Sequence, residues 1–375
     1  MLAGFPLFLV ITLHQPTWEF GLASALSYGG GAIFSWAGGR IGDRIGHKHL
    51  ALIGNSLIPL LALSALVASP AWAIGFLCGG WWFRNLRSPS RRVMLAEAVP
   101  NEKHRGSAFG FLHAIDVGGG ALAGLWVIGA LTIHLAFRWI FLIAGIPLVI
   151  STLFLSKATT GGKRKATEAS SEHKQVESDP PKGVRPLLIA ASLYGFTAYS
   201  VGFPVLTVAK GSGKLVYGIA AFLILQLVSS ITGYLLGGRL GSDIATQFRW
   251  LGLLGYFGAA IGAGLLALGG SGNRGGSPWL FVGVAVIGFG LGIVETLEPA
   301  AMSVLRSGLR AGRGFAGLSA ARSVGTFVGN LMMGLLYGIG ASAAYSYAGV
   351  VAGAAGIIVL IAVPGIRSWQ EATQE

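Results

Sequence analysis

Asp116 interrupts an otherwise apolar run that opens at Arg105, which puts it about 16 Å along a helix rising 1.5 Å per residue. His113, three residues earlier, shares its helical face. An imidazole beside a carboxylate could load and release a proton near neutral pH. The same pair could instead make a structural hydrogen bond to a neighbouring helix. Arg322 lies beyond Arg313 in another apolar run, about 13 Å along it. Its guanidinium suits an anionic substrate or a carboxylate partner, and Asp116 is one candidate. Glu295 and Glu298 stand one turn apart at the end of a run over 278–297. Carboxylates at a helix C-terminus meet an unfavourable dipole, so both are expected to pair with Arg306, Arg310 or Arg313 as a gate. A charge at the centre of a membrane helix costs about 2.5–3.5 kcal/mol, so each of these residues needs a reason to be there.

The elements that must hold them are set by composition. Of 375 residues, 53% are hydrophobic, only 11% are charged and 60 are glycine. A soluble domain carries about 25% charge, and so few polar groups could not cover a water-exposed surface. The abundance of large apolar residues excludes a disordered chain, and the glycines follow no three-residue period. The chain therefore reads as an all-α integral membrane protein. Eleven spans are expected, at about 18–37, 49–68, 71–86, 105–131, 137–155, 186–208, 215–236, 249–269, 278–297, 313–338 and 343–363. Breaks fall at Ser69-Pro70 and near Gly340-Ala341-Ser342, and Pro59, Pro147 and Pro204 are expected to kink their helices. Met1–Leu13 is too short to cross a bilayer. It is expected to be the remnant of a truncated or misannotated first helix, or else a half-helix that re-enters the membrane.

Lysine and arginine orient the spans. The loops on one side and the C-terminal tail hold 22 of 27, against Arg138, Lys210, Lys214 and Arg274 opposite, with Arg322 inside a span. That bias assigns the richer side to the cytoplasm. The net charge of +13 is then a topology signal with anionic lipid headgroups as its partner, and nucleic acid is not required. Residues 156–185 are polar, with mixed charge, Pro and Gly, and read as a disordered cytoplasmic linker. The linker divides the chain into a bundle over 1–155, with a partial first helix, and a bundle over 186–375.

The two parts repeat one another. Gly38-Gly39-Arg40-Ile41-Gly42-Asp43 matches Gly237-Gly238-Arg239-Leu240-Gly241-Ser242, and Arg105-Gly106 with Gly110 and Gly118 matches Arg313-Gly314 with Gly317 and Gly325. Such parallel repeats are a feature of secondary transporters. Gly39-Arg40-Ile41-Gly42-Asp43-Arg44-Ile45-Gly46-His47-Lys48 resembles the signature G-x-x-x-D-R-x-G-R/K-R/K of the major facilitator superfamily, between its second and third spans. Arg87-Ser88-Pro89-Ser90-Arg91 and Phe137-Arg138-Trp139-Ile140-Phe141 resemble other loops of bacterial members. The resemblance implies two pseudo-symmetric six-helix bundles, twelve helices with the first incomplete here. It also implies a cytoplasmic latch of Gly39, Arg40, Gly42, Asp43, Arg44, Gly46 and Lys48, in which Asp43 engages the helix opening at Arg313-Gly314. The three glycines permit a tight turn and close helix approach. His47 departs from the signature, and the second copy has Ser242 at the acidic position.

These features point to a secondary transporter working by alternating access, with proton-coupled efflux of an amphipathic or drug-like compound as the first reading. Import of a small organic anion on Arg322 is the alternative, and a non-transporting membrane scaffold is the other class. No phosphate-binding loop of the ATPase type is present, nor a nucleophile–base set, a metal-ligand cluster or a cofactor motif, so no enzyme is expected. A monomer in the inner or plasma membrane is expected, with linker and C-terminus cytoplasmic. Gly288-Phe289-Gly290-Leu291-Gly292 superficially resembles a nucleotide-binding turn, but it lies inside a span and reads as helix packing. Gly-x-x-x-Gly pairs at 106/110, 120/124, 325/329 and 334/338 are expected at close crossings.

Overall fold

The computed structural model describes residues 3–98, 102–157, 183–196, 202–237, 244–270, 278–305 and 311–374. Residues 158–182 of the expected linker, 238–242 of the second signature copy, Arg306 and Arg310 lie outside the described residues, as do the side chains of Asp43, His113, Asp116 and Arg313. Residues 156–157 and 184–185, expected in the linker, are helical instead, because the flanking apolar helices extend past their hydrophobic runs. All described regular structure is helical. A π-helical turn over Leu7–Thr12 precedes α1 (Thr17–Ser24), which continues through a π-helical turn over Ala25–Gly29 into α2 (Gly31–Ile45). Then come α3 (His47–Leu57), α4 (Leu60–Leu63), α5 (Pro70–Ala98), α6 (Glu102–Thr132) and α7 (Phe137–Lys157). After the linker follow α8 (Val184–Phe196), α9 (Gly202–Ser212), α10 (Leu215–Gly237) and α11 (Ile244–Trp250). A third π-helical turn over Leu251–Tyr256 leads into α12 (Phe257–Gly270), then α13 (Pro278–Leu305), α14 (Ala311–Ile339) and α15 (Ala341–Gln374).

Among the described residues, helices or runs of helical segments lie at the positions of the expected spans, and the fold is that of an all-α membrane protein. Five described stretches are long and apolar enough to cross a bilayer by length and composition alone: Phe137–Lys157, Leu215–Leu235, Ile244–Gly269, Pro278–Met302 and Ala341–Glu371. The breaks fall where the residues demand them. Pro70 opens α5, Pro59 separates α3 from α4, and Gly340 alone divides α14 from α15. Pro147 lies inside α7, which stays helical on both sides of it. The signature glycines differ from expectation. Only Gly46 adopts a positive φ, +92°, and makes the turn. Gly39 and Gly42 remain inside α2, where Gly42 provides room for His47 and Ser90.

Two buried apolar clusters organise the packing. One gathers Phe8, Phe20, Phe137, Phe141, Phe203 and Tyr345 with others, so it draws on helices from both sides of the linker at the end carrying Lys210 and Lys214. The other, including Leu187, Phe248, Tyr256, Leu297 and Val359, belongs to helices after the linker alone. At the basic end, which carries Gly46, neither described cluster joins the two sets of helices. The joined end is sealed by small residues. A Cβ on Gly334 would stand 2.8 Å from the Gly21 Cα, Thr17 Oγ1 donates to the Gly334 carbonyl at 3.3 Å, and Phe20 meets Phe203 edge-on. The Leu7–Thr12 turn is buried there, with Phe8 against Phe137 and Phe141.

The glycines of 288–292 serve packing: Gly288 and Gly292 admit the α10 backbone at Leu225 and Ser229, and Gly290 admits α12 at Ala259. A polar clamp ties the first set of helices together. Asn55, buried in α3, accepts from Arg87 Nη1 of α5 and donates to Thr152 Oγ1 of α7 at 2.7 Å. Asn55→Leu is expected to lower stability in detergent by about 1–2 kcal/mol, since it leaves a guanidinium donor without this acceptor. Thr152→Val should cost less. Thermal unfolding of the two variants checks the order.

Candidate functional site

α13 and α14 run side by side, and their facing residues carry the charges. Glu295 and Glu298, one turn apart, both point at Arg322. Arg322 Nε donates to Glu298 Oε2 at 2.6 Å, and Nη1 donates to Glu295 Oε1 at 2.9 Å. Nη2 also lies 2.6 Å from Glu298 Oε2, but off the hydrogen-bond direction. The second Glu298 oxygen is used too, for the Tyr256 hydroxyl donates to Oε1 at 2.6 Å. Tyr194 of α8 packs on Tyr256 with ring centroids 5.2 Å apart.

Local structure explains how the group is held. The π-helical turn Leu251–Tyr256 ends on Tyr256, and such turns redirect side chains out of the regular helical register. Gly195 lets α8 approach α14 so closely that a Cβ there would stand 2.6 Å from the Arg322 carbonyl. The Gly325 position would meet the Ser192 carbonyl closer still. Glu298 is fully buried, whereas the side chains of Arg322 and Glu295 keep 23% and 43% of their exposure. The group thus grades from a sealed carboxylate to an accessible one across a single guanidinium. With both carboxylates ionised it carries a net charge of −1, so it can accept one further positive charge.

Placement of Glu295 and Glu298 corrects the sequence expectation. α13 continues to Leu305, so neither lies at a helix C-terminus; both pair with Arg322, while the expected partners Arg306 and Arg310 and the side chain of Arg313 lie outside the described residues. Arg322 has its carboxylate partners on the neighbouring helix, and Asp116 and His113 are on α6, their side chains outside the described residues. Arg84 lies well inside α5, its guanidinium 4.5 Å from the centroid of the Trp81 ring. Glu19 occupies the first turn of α1, where the helix dipole favours it.

The signature residues lie together at the α2–α3 corner. Arg40 stacks on Trp36 at 3.9 Å, Arg44 is exposed, Gly39 faces open space, and Lys48 is in the first turn of α3. The expected Asp43 contact with the start of α14 falls on side chains outside the described residues. Tyr256 was not legible as a site residue. A lone phenol in an apolar span is the only signal, and many such tyrosines merely pack.

Comparison with known proteins accords with this arrangement. A family model described as Major Facilitator Superfamily matches residues 2–309. A search of curated proteins finds no match. Among solved structures, a POT family transporter in complex with 5-aminolevulinic acid is similar with a TM-score of 0.75 at 14% identity, over 98% of this chain and 93% of that one. Another POT family transporter structure, in complex with a thioalcohol-conjugated peptide, gives 0.74 at 14% identity, over 97% and 93%. The xylose transporter XylE from E. coli, in an inward-open conformation, gives 0.67 at 16% identity, over 92% and 85%. At these identities the likeness concerns the fold, and the family and fold are those of transporters. The helices, the repeat and the family match over most of its length lead to one conclusion: this multi-pass membrane protein belongs to the Major Facilitator Superfamily.

Proposed function

We propose that the chain is a proton-coupled secondary transporter that exports an amphipathic or drug-like compound by alternating access. The observation that carries this reading is the Glu298–Arg322–Glu295 group, in which a sealed carboxylate shares one guanidinium with an accessible one. A proton arriving on this group removes its excess negative charge and weakens the hold of Glu298 on Arg322. Cation loading is thereby linked to the α13–α14 contact, and a buried charge whose partner is lost is strongly disfavoured. Apolar and aromatic surroundings suit an amphipathic cargo, as with Tyr28 edge-on to Trp81 and Tyr194 on Tyr256.

The helices before and after the linker act as the two rocking bundles. The basic end faces the cytoplasm of the inner or plasma membrane, with linker and C-terminus on that side, and the chain works as a monomer. The 39–48 corner latches the basic end through Asp43 and Arg313 when the cavity opens outward. Asp116 with His113 is a second candidate for coupling.

Purified protein in liposomes with an imposed pH gradient tests the proposal. Glu298→Gln should abolish pH-driven accumulation of a screened substrate while leaving substrate exchange at equal pH intact. Asp116→Asn compared in the same assay identifies which carboxylate couples. Undiminished pH-driven flux in both variants would sink the proton-coupled reading.

A further inference from the structure

A cavity of about 280 Å³ opens between α8 and α15, lined by Arg185, Pro186, Ile189, Ile358, Ile361 and Ala362. It lies near the start of α8, where Gly183 packs against Leu305 and Ile366 and so marks the basic end. The face of α8 that carries Leu187, Ala190, Ala191 and Tyr194 is buried in the core, whereas Arg185 and Ile189 point the other way and are exposed. Ile361 is 73% exposed on α15. The groove therefore faces outward, where a membrane protein meets acyl chains, and away from the Glu298–Arg322 group.

Its walls suit one chemistry. Pro186 and three isoleucines form rigid apolar sides. Ala362 keeps the floor low, and a Cβ at Gly365, one turn nearer the basic end, would meet nothing within 4 Å. The volume is below the range of about 300–1,000 Å³ typical of sites for whole small molecules, and suits part of an extended chain. The single charged lining residue is Arg185, and no carboxylate lies within ion-pair distance of it among the described residues. A planar guanidinium at the interface recognises phosphate through paired donors, and basic pockets between membrane helices bind anionic headgroups.

We propose that this groove is a binding site for an anionic phospholipid, with one acyl chain lying between α8 and α15 and the phosphate on Arg185. Commitment to a lipid rests on the outward apolar walls and on a charge complementary to phosphate at the membrane end richest in lysine and arginine. The site goes beyond the transport reading and holds whether or not the chain moves protons.

The test uses the full chain purified in a neutral detergent, with dioleoyl phosphatidylglycerol and dioleoyl phosphatidylcholine as matched probes and native mass spectrometry as readout. The wild type should retain one phosphatidylglycerol in preference to phosphatidylcholine. Arg185→Gln should weaken that retention by about five- to tenfold. Ala362→Phe, which fills the floor, should abolish it, and Arg185→Lys should restore part of the preference. Thermal unfolding without lipid checks that the substitutions, Ala362→Phe at a half-buried position included, leave the fold intact. Equal retention of the two lipids by the wild type, or undiminished phosphatidylglycerol on Arg185→Gln, overturns the site. A full stabilising shift with inorganic phosphate alone would show a free-anion site and overturn the lipid assignment.

Discussion

Arg322→Met is expected to be the most damaging single substitution in the protein, costing about 3–5 kcal/mol, the usual penalty for stripping a buried charge of its partner. Glu298 is fully buried and has two described partners, the Arg322 guanidinium and the Tyr256 hydroxyl. Removing the cation leaves a carboxylate that a single phenol cannot compensate. The loss should be specific to the pairing and not to the volume, because methionine replaces much of the apolar stem. Combining Arg322→Met with Glu298→Gln should therefore recover a large part of the lost stability. A neutral amide can still accept from Tyr256 and no longer needs a cation. Thermal or denaturant unfolding of the two single variants and the double variant gives the coupling energy. Additive losses would mean that the pair contributes nothing as a pair.

The second large effect concerns the sealed end. Gly334→Leu should hold the α1–α14 seam apart, because any side chain there enters the space of the Gly21 and Trp18 backbones, at 2.8 Å and 3.1 Å from its Cβ. Overpacking of this kind costs roughly 1–3 kcal/mol. Since the cost falls only on the conformation that closes this seam, it moves the equilibrium between conformations by about five- to 150-fold. Transport should fall to background while the protein remains folded. Thr17 reports the change, being buried at the seam and bonded to the Gly334 carbonyl. In a background with Cys78→Ser, a cysteine placed at Thr17 should react readily with a membrane-impermeant maleimide in Gly334→Leu and slowly without it. Equal labelling in both would show that the seam does not govern access.

Much of the architecture was legible from the amino acids. Apolar runs of the length that a bilayer demands located the helices, because backbone groups in hydrocarbon must be satisfied within the segment itself. Pro70, Pro59 and Gly340 marked the breaks, since proline lacks a donor and glycine tolerates the turn. The repeated Gly-Gly-Arg-x-Gly motif and the 39–48 signature pointed to the family, which the match over 2–309 bears out.

Partnership among the rare charges was not legible in the same way. Composition showed that Glu295, Glu298 and Arg322 each required compensation, but sequence distance offered Arg306, Arg310, Arg313 and Asp116 as equally reasonable partners. The pairing with Arg322 depends on the length of α13, which carries Glu298 past the expected helix end. It depends too on Gly195 and Gly325, which draw α8 and α14 together. Tyr256 joins the group from the end of a π-helical turn, its hydroxyl reaching Glu298 on α13. Hydropathy is a local property of the chain and survives any rearrangement of neighbours, so the sequence by itself determined the spans and the solvent they face. An ion pair depends on which helix faces which and at what height, and that only the packed bundle decides.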